Sequence, residues 1–147
     1  MIRISTRGRY ALRAMVDLAQ HGGEAPVARQ ELAERQDISA DYVAQLFGTL
    51  QAAGLVEGVK GPGGGYRLAR DAAKITAGDV VQAVEGPLAV VHCALPGPNE
   101  EPACDRVDHC VTHLLWKQLS EAMMDVLSAV SLEDLVHQAD LLMQLGG

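Results

Sequence analysis

Residues 28–68 read ARQELAERQDISADYVAQLFGTLQAAGLVEGVKGPGGGYRL. Two helix-forming runs, about 28–35 and 39–53, flank the polar linker Gln36-Asp37-Ile38-Ser39. Leu32, Ala33, Ile38, Val43, Leu46 and Leu50 recur at helical spacing and predict an inward face. Ser39 is a good N-cap, and Gly54 suits the left-handed residue that ends a helix. Two helices joined by a short polar turn make a helix-turn-helix pattern, which also occurs in helical hairpins that never meet DNA. After it, Leu55-Val56 and Tyr66-Arg67-Leu68 are apolar enough for two short strands. The glycine-rich stretch Gly58–Gly65 between them predicts a hairpin. A hairpin directly after a helix-turn-helix reads as a wing. A nucleotide phosphate loop is a poor alternative, because no Gly-Lys-Ser/Thr ending is present and no helix follows directly.

Upstream, Tyr10, Ala11, Ala14, Met15, Leu18 and Ala19 predict an amphipathic helix from Ser5 to about His21, capped by Ser5 or Thr6 and stopped by Gly22-Gly23. Its N-terminus carries Arg3, Arg7 and Arg9, which together with free helix amides suit a phosphate. The net charge of −7 argues against a nucleic-acid partner until it is divided. Residues 1–74 hold ten Lys/Arg against eight Asp/Glu, whereas residues 75–147 hold two against eleven. This asymmetry points to a polyanion-facing first half, although a solvated basic helix face would show the same charges.

In the second half of such a helix-turn-helix, the N-terminal residues of the recognition helix meet base edges in the major groove. The candidate DNA contacts are Arg3, Ser5, Arg7, Ser39, Tyr42, Gln45, Lys60, Gly61, Pro62, Gly63, Gly64 and Tyr66. Gln45 can pair bidentately with adenine, and Ser39 can serve a base or a phosphate. The wing glycines permit close backbone approach, and Lys60 adds charge.

Downstream, Thr76–Asp79 is a capping-box start for a short helix reaching Glu85 and stopped by Gly86-Pro87. From about Val107 to Val130 runs a wide apolar stripe of Leu115, Leu119, Ala122, Met123, Val126, Leu127 and Val130. A small winged domain covers only part of it, so it reads as a dimerisation helix or as the completion of a monomer core. Ser131–Asp134 then caps a last helix. With 48% apolar residues and only 3% aromatic ones, the core must be aliphatic. No run approaches the ~20 apolar residues of a membrane span.

All three cysteines lie between Cys93 and Cys110, with His113 three residues later. The segment is polar and proline-rich, which disfavours a role as core cysteines. The odd count and the absence of an apolar stretch after MIRISTRGRY disfavour secretion and disulfides, so a reducing cytoplasm is expected. Cys93, Cys104, Cys110 and His113 are therefore candidate metal ligands, with Cys110 and His113 expected side by side on one helical face at i and i+3. Zinc and an iron–sulfur cluster both accept such a set, and the spacing does not choose between them. A metal-free thiol switch is a third reading. No paired carboxylates, nucleophile triad or cofactor fingerprint supports an enzyme.

The stretches STRGRYALRAM, DYVAQLF, GLVEGVKGPGGGYRL and C-x2-H-x-LW, spanning residues 2 to about 136, strongly resemble the IscR-like, Rrf-type winged-helix regulators. The resemblance implies a mostly α fold with a two-stranded β wing, a homodimer on double-stranded DNA, and a bacterial transcription regulator rather than an enzyme. It implies a winged helix-turn-helix domain at 1–86 (helix-turn-helix about 28–53, wing about 55–69) and a cluster-binding loop at 87–112. A dimerisation helix at 107–130 and a C-terminal helix at 131–147 complete the chain. Cys93, Cys104, Cys110 and His113 match the family's cluster ligands, and histidine as the fourth implies 2Fe–2S. The nitric-oxide-sensing branch instead uses an aspartate near the N-terminus with a 4Fe–4S cluster. This chain has no acidic residue before Asp17, which favours the histidine branch. Two departures stand out. Ten residues separate Cys93 from Cys104, where five are usual, and Ala44 replaces a common acidic residue of the recognition helix.

Overall fold

The computed structural model describes residues 1–95, 106 and 108–146. Its described elements are six α-helices and one antiparallel hairpin: α1 (Thr6–His21), α2 (Arg29–Gln36), α3 (Ala40–Ala52), β1 (Val56–Val59), β2 (Gly65–Leu68), α4 (Ala77–Glu85), α5 (Val111–Ser128) and α6 (Leu132–Gly146). Short 3₁₀ turns at Ala72–Lys74 and His92–Ala94 complete them.

The caps expected from sequence form. The Gly8 amide donates to Ser5 Oγ (3.1 Å) and the Tyr42 amide to Ser39 Oγ (3.0 Å). Thr76 and Asp79 exchange side chain-to-backbone bonds at 3.0 Å each, and Ser131 and Asp134 do the same at the start of α6. Each satisfies amides that a helix start would otherwise leave bare. Between α2 and α3, Asp37 takes the left-handed conformation (φ 55°), which aspartate tolerates better than most residues. Ile38 N–H then donates back to Ala33 O (3.0 Å), closing α2 and turning the chain into α3.

Ala11, Ala14, Met15 and Leu18 of α1 pack with Leu32, Val43, Leu46, Phe47, Leu50, Ile75, Val80 and Leu132, all fully or nearly fully buried. The wing is built onto this core. Val56 pairs with Leu68 and Val59 with Gly65. Tyr66 packs on Phe47 with ring centroids 4.6 Å apart, and its backbone exchanges two 2.8 Å hydrogen bonds with Val27 just before α2. Gly65 must be glycine, because φ is +149° and a Cβ there would run into the Val27 carbonyl.

α5 behaves differently. Among its described residues only Ser120 is buried, while Leu114, Leu115, Leu119 and Val126 are 63, 53, 40 and 66% exposed. It begins at Val111 rather than near residue 107, since Asp108 and His109 form a turn and Cys110 is the N-cap. Its far end lies close on α4, where a Cβ on Gly78 would sit 2.6 Å from Ser128 Oγ. The starts of α4 and α6 are clamped together. Ala77 N–H donates to Val130 O and Leu132 N–H to Ile75 O, both at 2.8 Å, so Thr76 and Ser131 form a bridge.

Candidate nucleic-acid interface and metal centre

On α3, the exposed residues Asp41, Gln45 and Gly48 follow one another at spacings of four and three, which places them on one helix face. Tyr42 is half-buried, edge-on to Tyr10 with centroids 6.1 Å apart, and Arg13 lies over the other ring at 4.9 Å. This aromatic and cationic stack fixes the start of α3 against α1. Arg7, in the first turn of α1, reaches Thr49 Oγ1 of α3 at 3.4 Å. The start of α1 thus lies beside α3, and Arg3, just before α1, is exposed.

The remaining sequence-expected contacts divide. Lys60, Gly61, Pro62 and Gly63 are exposed at the tip of the hairpin, while Gly64 is half-buried. Tyr66 faces inward onto Phe47. Ser5 is engaged inside the protein: besides capping α1, its amide (3.0 Å) and its hydroxyl both donate to Glu85 Oε1 at the end of α4. Gly8 leaves room for that carboxylate, since a Cβ there would come within 2.5 Å of Glu85 Oε1.

Asp17 and Glu85 were not picked out from sequence. Asp17 is buried and accepts from Arg35 Nε and Nη2 (3.0 and 2.8 Å) and from Gln36 Nε2 (2.8 Å). This pairing raises the Arg35 pKa above its ordinary value, first through the side-chain hydrogen bond. An aspartate flanked by Ala14, Met15 and Leu18 on an apolar face was the available signal, because a buried carboxylate needs a partner.

Among the expected ligands, Cys93 and His113 meet: Cys93 Sγ lies 3.5 Å from His113 Nδ1, both residues half-buried. The contact spans 20 positions and joins the 3₁₀ turn at His92–Ala94 to the first turn of α5. The Val90 amide holds the approach by donating to Ser120 Oγ (3.0 Å), which itself donates to Trp116 O (2.8 Å). Cys110, at the N-cap, instead places its thiol 3.1 Å from Thr112 Oγ1. That contact, with the backbone amides of His113 and Thr112, lowers its pKa. Cys104 lies outside the described residues, and so does residue 107, where the long helix was expected to start. Among the described residues no three His, Cys, Asp or Glu side chains converge as a metal site.

Residues 4–138 match the Rrf2 family model, described as an iron-dependent transcriptional regulator. The chain is 42% identical over 141 residues to the HTH-type transcriptional regulator IscR of Xenorhabdus nematophila, covering 96% of this chain and 83% of the relative. Among solved structures it resembles CymR, the global cysteine regulator of B. subtilis (TM-score 0.74, 38% identity, 94% of this chain and 98% of that one). It also resembles T. potens IscR (TM-score 0.72, 36% identity, 94% and 88%). These are winged-helix regulators rather than enzymes, and among the described residues no helix is long and apolar enough to cross a membrane. The chain belongs to the Rrf2 family and is a transcriptional regulator of the IscR type.

Proposed function

We propose that this protein is a homodimeric regulator that binds promoter DNA through α3 and the wing, under the control of an iron–sulfur cluster. Cys93, Cys104, Cys110 and His113 would hold the cluster. The observation that carries the metal reading is the Cys93–His113 pair at 3.5 Å. A thiolate and an imidazole on one tetrahedral metal atom, with bonds of about 2.3 and 2.0 Å, stand roughly 3.5 Å apart. The donor chemistry fits as well, since thiolates with a histidine replacement are a known cluster set. When bound, an iron–sulfur cluster supplies a link between loop and helix that is sensitive to oxidation.

The chain's own residues would do the rest. Cys93 and His113 fix the turn at 92–94 against the first turn of α5. Glu85, seven residues before that turn, ties the end of α4 to the start of α1, where Arg7 touches α3. A change in the seat of the 87–110 segment thus has a contiguous route to the reading surface. Dimerisation is supported by the apolar residues that α5 leaves uncovered.

The test is visible absorption with iron, sulfide and zinc analysis on anaerobically purified wild type and His113→Ala, followed by DNA binding of loaded and stripped protein. About two irons and two sulfides per chain, with His113→Ala losing them faster, is the expected result. Near four irons would move the protein to the nitric-oxide-sensing type with another fourth ligand. Stoichiometric zinc in a colourless protein would keep the regulator and remove the sensing. Equal DNA affinity of loaded and stripped protein would also remove it.

A further inference from the structure

We infer that Asp41 is a base-reading residue of α3 and selects a cytosine, an assignment that rests on the DNA-binding function proposed above. Of the polar side chains at the start of α3, Ser39 already accepts the Tyr42 amide as the N-cap. Tyr42 is held edge-on against Tyr10, and Ala40 and Ala44 have nothing to hydrogen-bond with. Asp41 and Gln45 remain, both exposed and one turn apart on the outer face. The next residue on that face is Gly48, where a Cβ would meet nothing within 4 Å. This face is therefore open to a duplex, with two polar tips at its N-terminal end.

Asp41 is the one charged residue of α3 and makes no ion pair among the described residues. A first-turn carboxylate favours the helix dipole, but on a surface meant for phosphates it also repels the partner. That repulsion is offset only where the carboxylate accepts from an exocyclic amine. An ionised carboxylate has no proton to donate, so guanine O6 and N7 and thymine O4 all oppose it. Adenine offers N6 beside the N7 acceptor, whereas cytosine presents N4 with no acceptor next to it in the major groove. Asp41 is thus suited to cytosine and Gln45 to adenine, and both discriminate against a misplaced acceptor.

The experiment is selection of binding sites from a randomised duplex pool by the full-length wild type, Asp41→Ser and Asp41→Asn. Wild type should fix a cytosine at one position. Asp41→Ser should lose roughly tenfold of that preference while keeping the rest of the site. Asp41→Asn, which adds a donor at nearly the same shape, should shift the position toward a purine. The same cytosine preference in Asp41→Ser overturns the assignment, as does an equal loss of affinity for every sequence, which is what a purely helix-stabilising role gives. If wild type selects no site at all, the DNA-binding function itself falls, and the assignment with it.

Discussion

Replacing Asp17 by alanine should cost about 2–3 kcal/mol of stability. The carboxylate is only 3% exposed and receives Arg35 Nε, Arg35 Nη2 and Gln36 Nε2 at 2.8–3.1 Å. Breaking a fully buried ion pair from one side costs ~3–5 kcal/mol. The Arg35 side chain is 33% exposed, so water takes back part of its guanidinium, and the expected loss falls below that range. For a chain of this length, each kcal/mol lowers Tm by about 3 °C, giving a fall of roughly 6–9 °C. Urea denaturation should show a lower midpoint with an unchanged slope. Glu31→Ala is the control. Glu31 reaches Arg35 at only 3.7 Å and its side chain is 58% exposed, so its removal should change stability by under ~0.5 kcal/mol. Because the pairing raises the Arg35 pKa, its contribution persists below the ordinary arginine value and is lost only as pH rises through the higher folded one. No pH dependence from Arg35 is therefore expected near neutrality. An Asp17→Ala protein within 0.5 kcal/mol of wild type would refute the view that this pair anchors α2 on α1.

Three further outcomes follow from the same geometry. Gly65→Ala should lower stability by about 2–3 kcal/mol and weaken DNA binding, because its φ of +149° and the Val27 carbonyl both oppose a side chain; a wild-type Tm would contradict this. Lys60→Ala should reduce the salt dependence of DNA binding by about one unit of slope without changing the preferred site, whereas Gln45→Ala should leave the slope alone and relax the site; titrations at several salt concentrations separate the two. Leu115→Glu with Leu119→Glu should yield a folded monomer in sedimentation equilibrium, and a persisting dimer would place the subunit contact elsewhere than on α5.

The reading head was legible because its signals are local. Ser39, Gly54, Thr76 and the glycine run each act within a few residues of themselves, and each does in the structure what its chemistry suggests. The candidate metal centre was less so. Cys110 and His113 share a helical face only if the helix begins before Cys110, whereas α5 starts at Val111. The partner that His113 meets, Cys93, is brought there by Ser120 and the lie of α5, which no short pattern encodes. Tyr66, expected from its place in the wing, is half-buried with its ring on Phe47. Periodicity shows which face of an element is apolar and leaves open which distant side chain will cover it.

The bridge between Thr76 and Ser131 bears on how such regulators diversify. Since the bridge holds the start of α4 beside the start of α6, the stretch between Glu85 and α5 can change in length without moving either anchor. Doubling a flexible loop costs only about 0.6 kcal/mol in closure entropy. A longer insertion between α4 and α5 is therefore tolerable to the winged-helix core. Lineages can remodel the stretch between α4 and α5 and its reach, while keeping the winged-helix core unaltered.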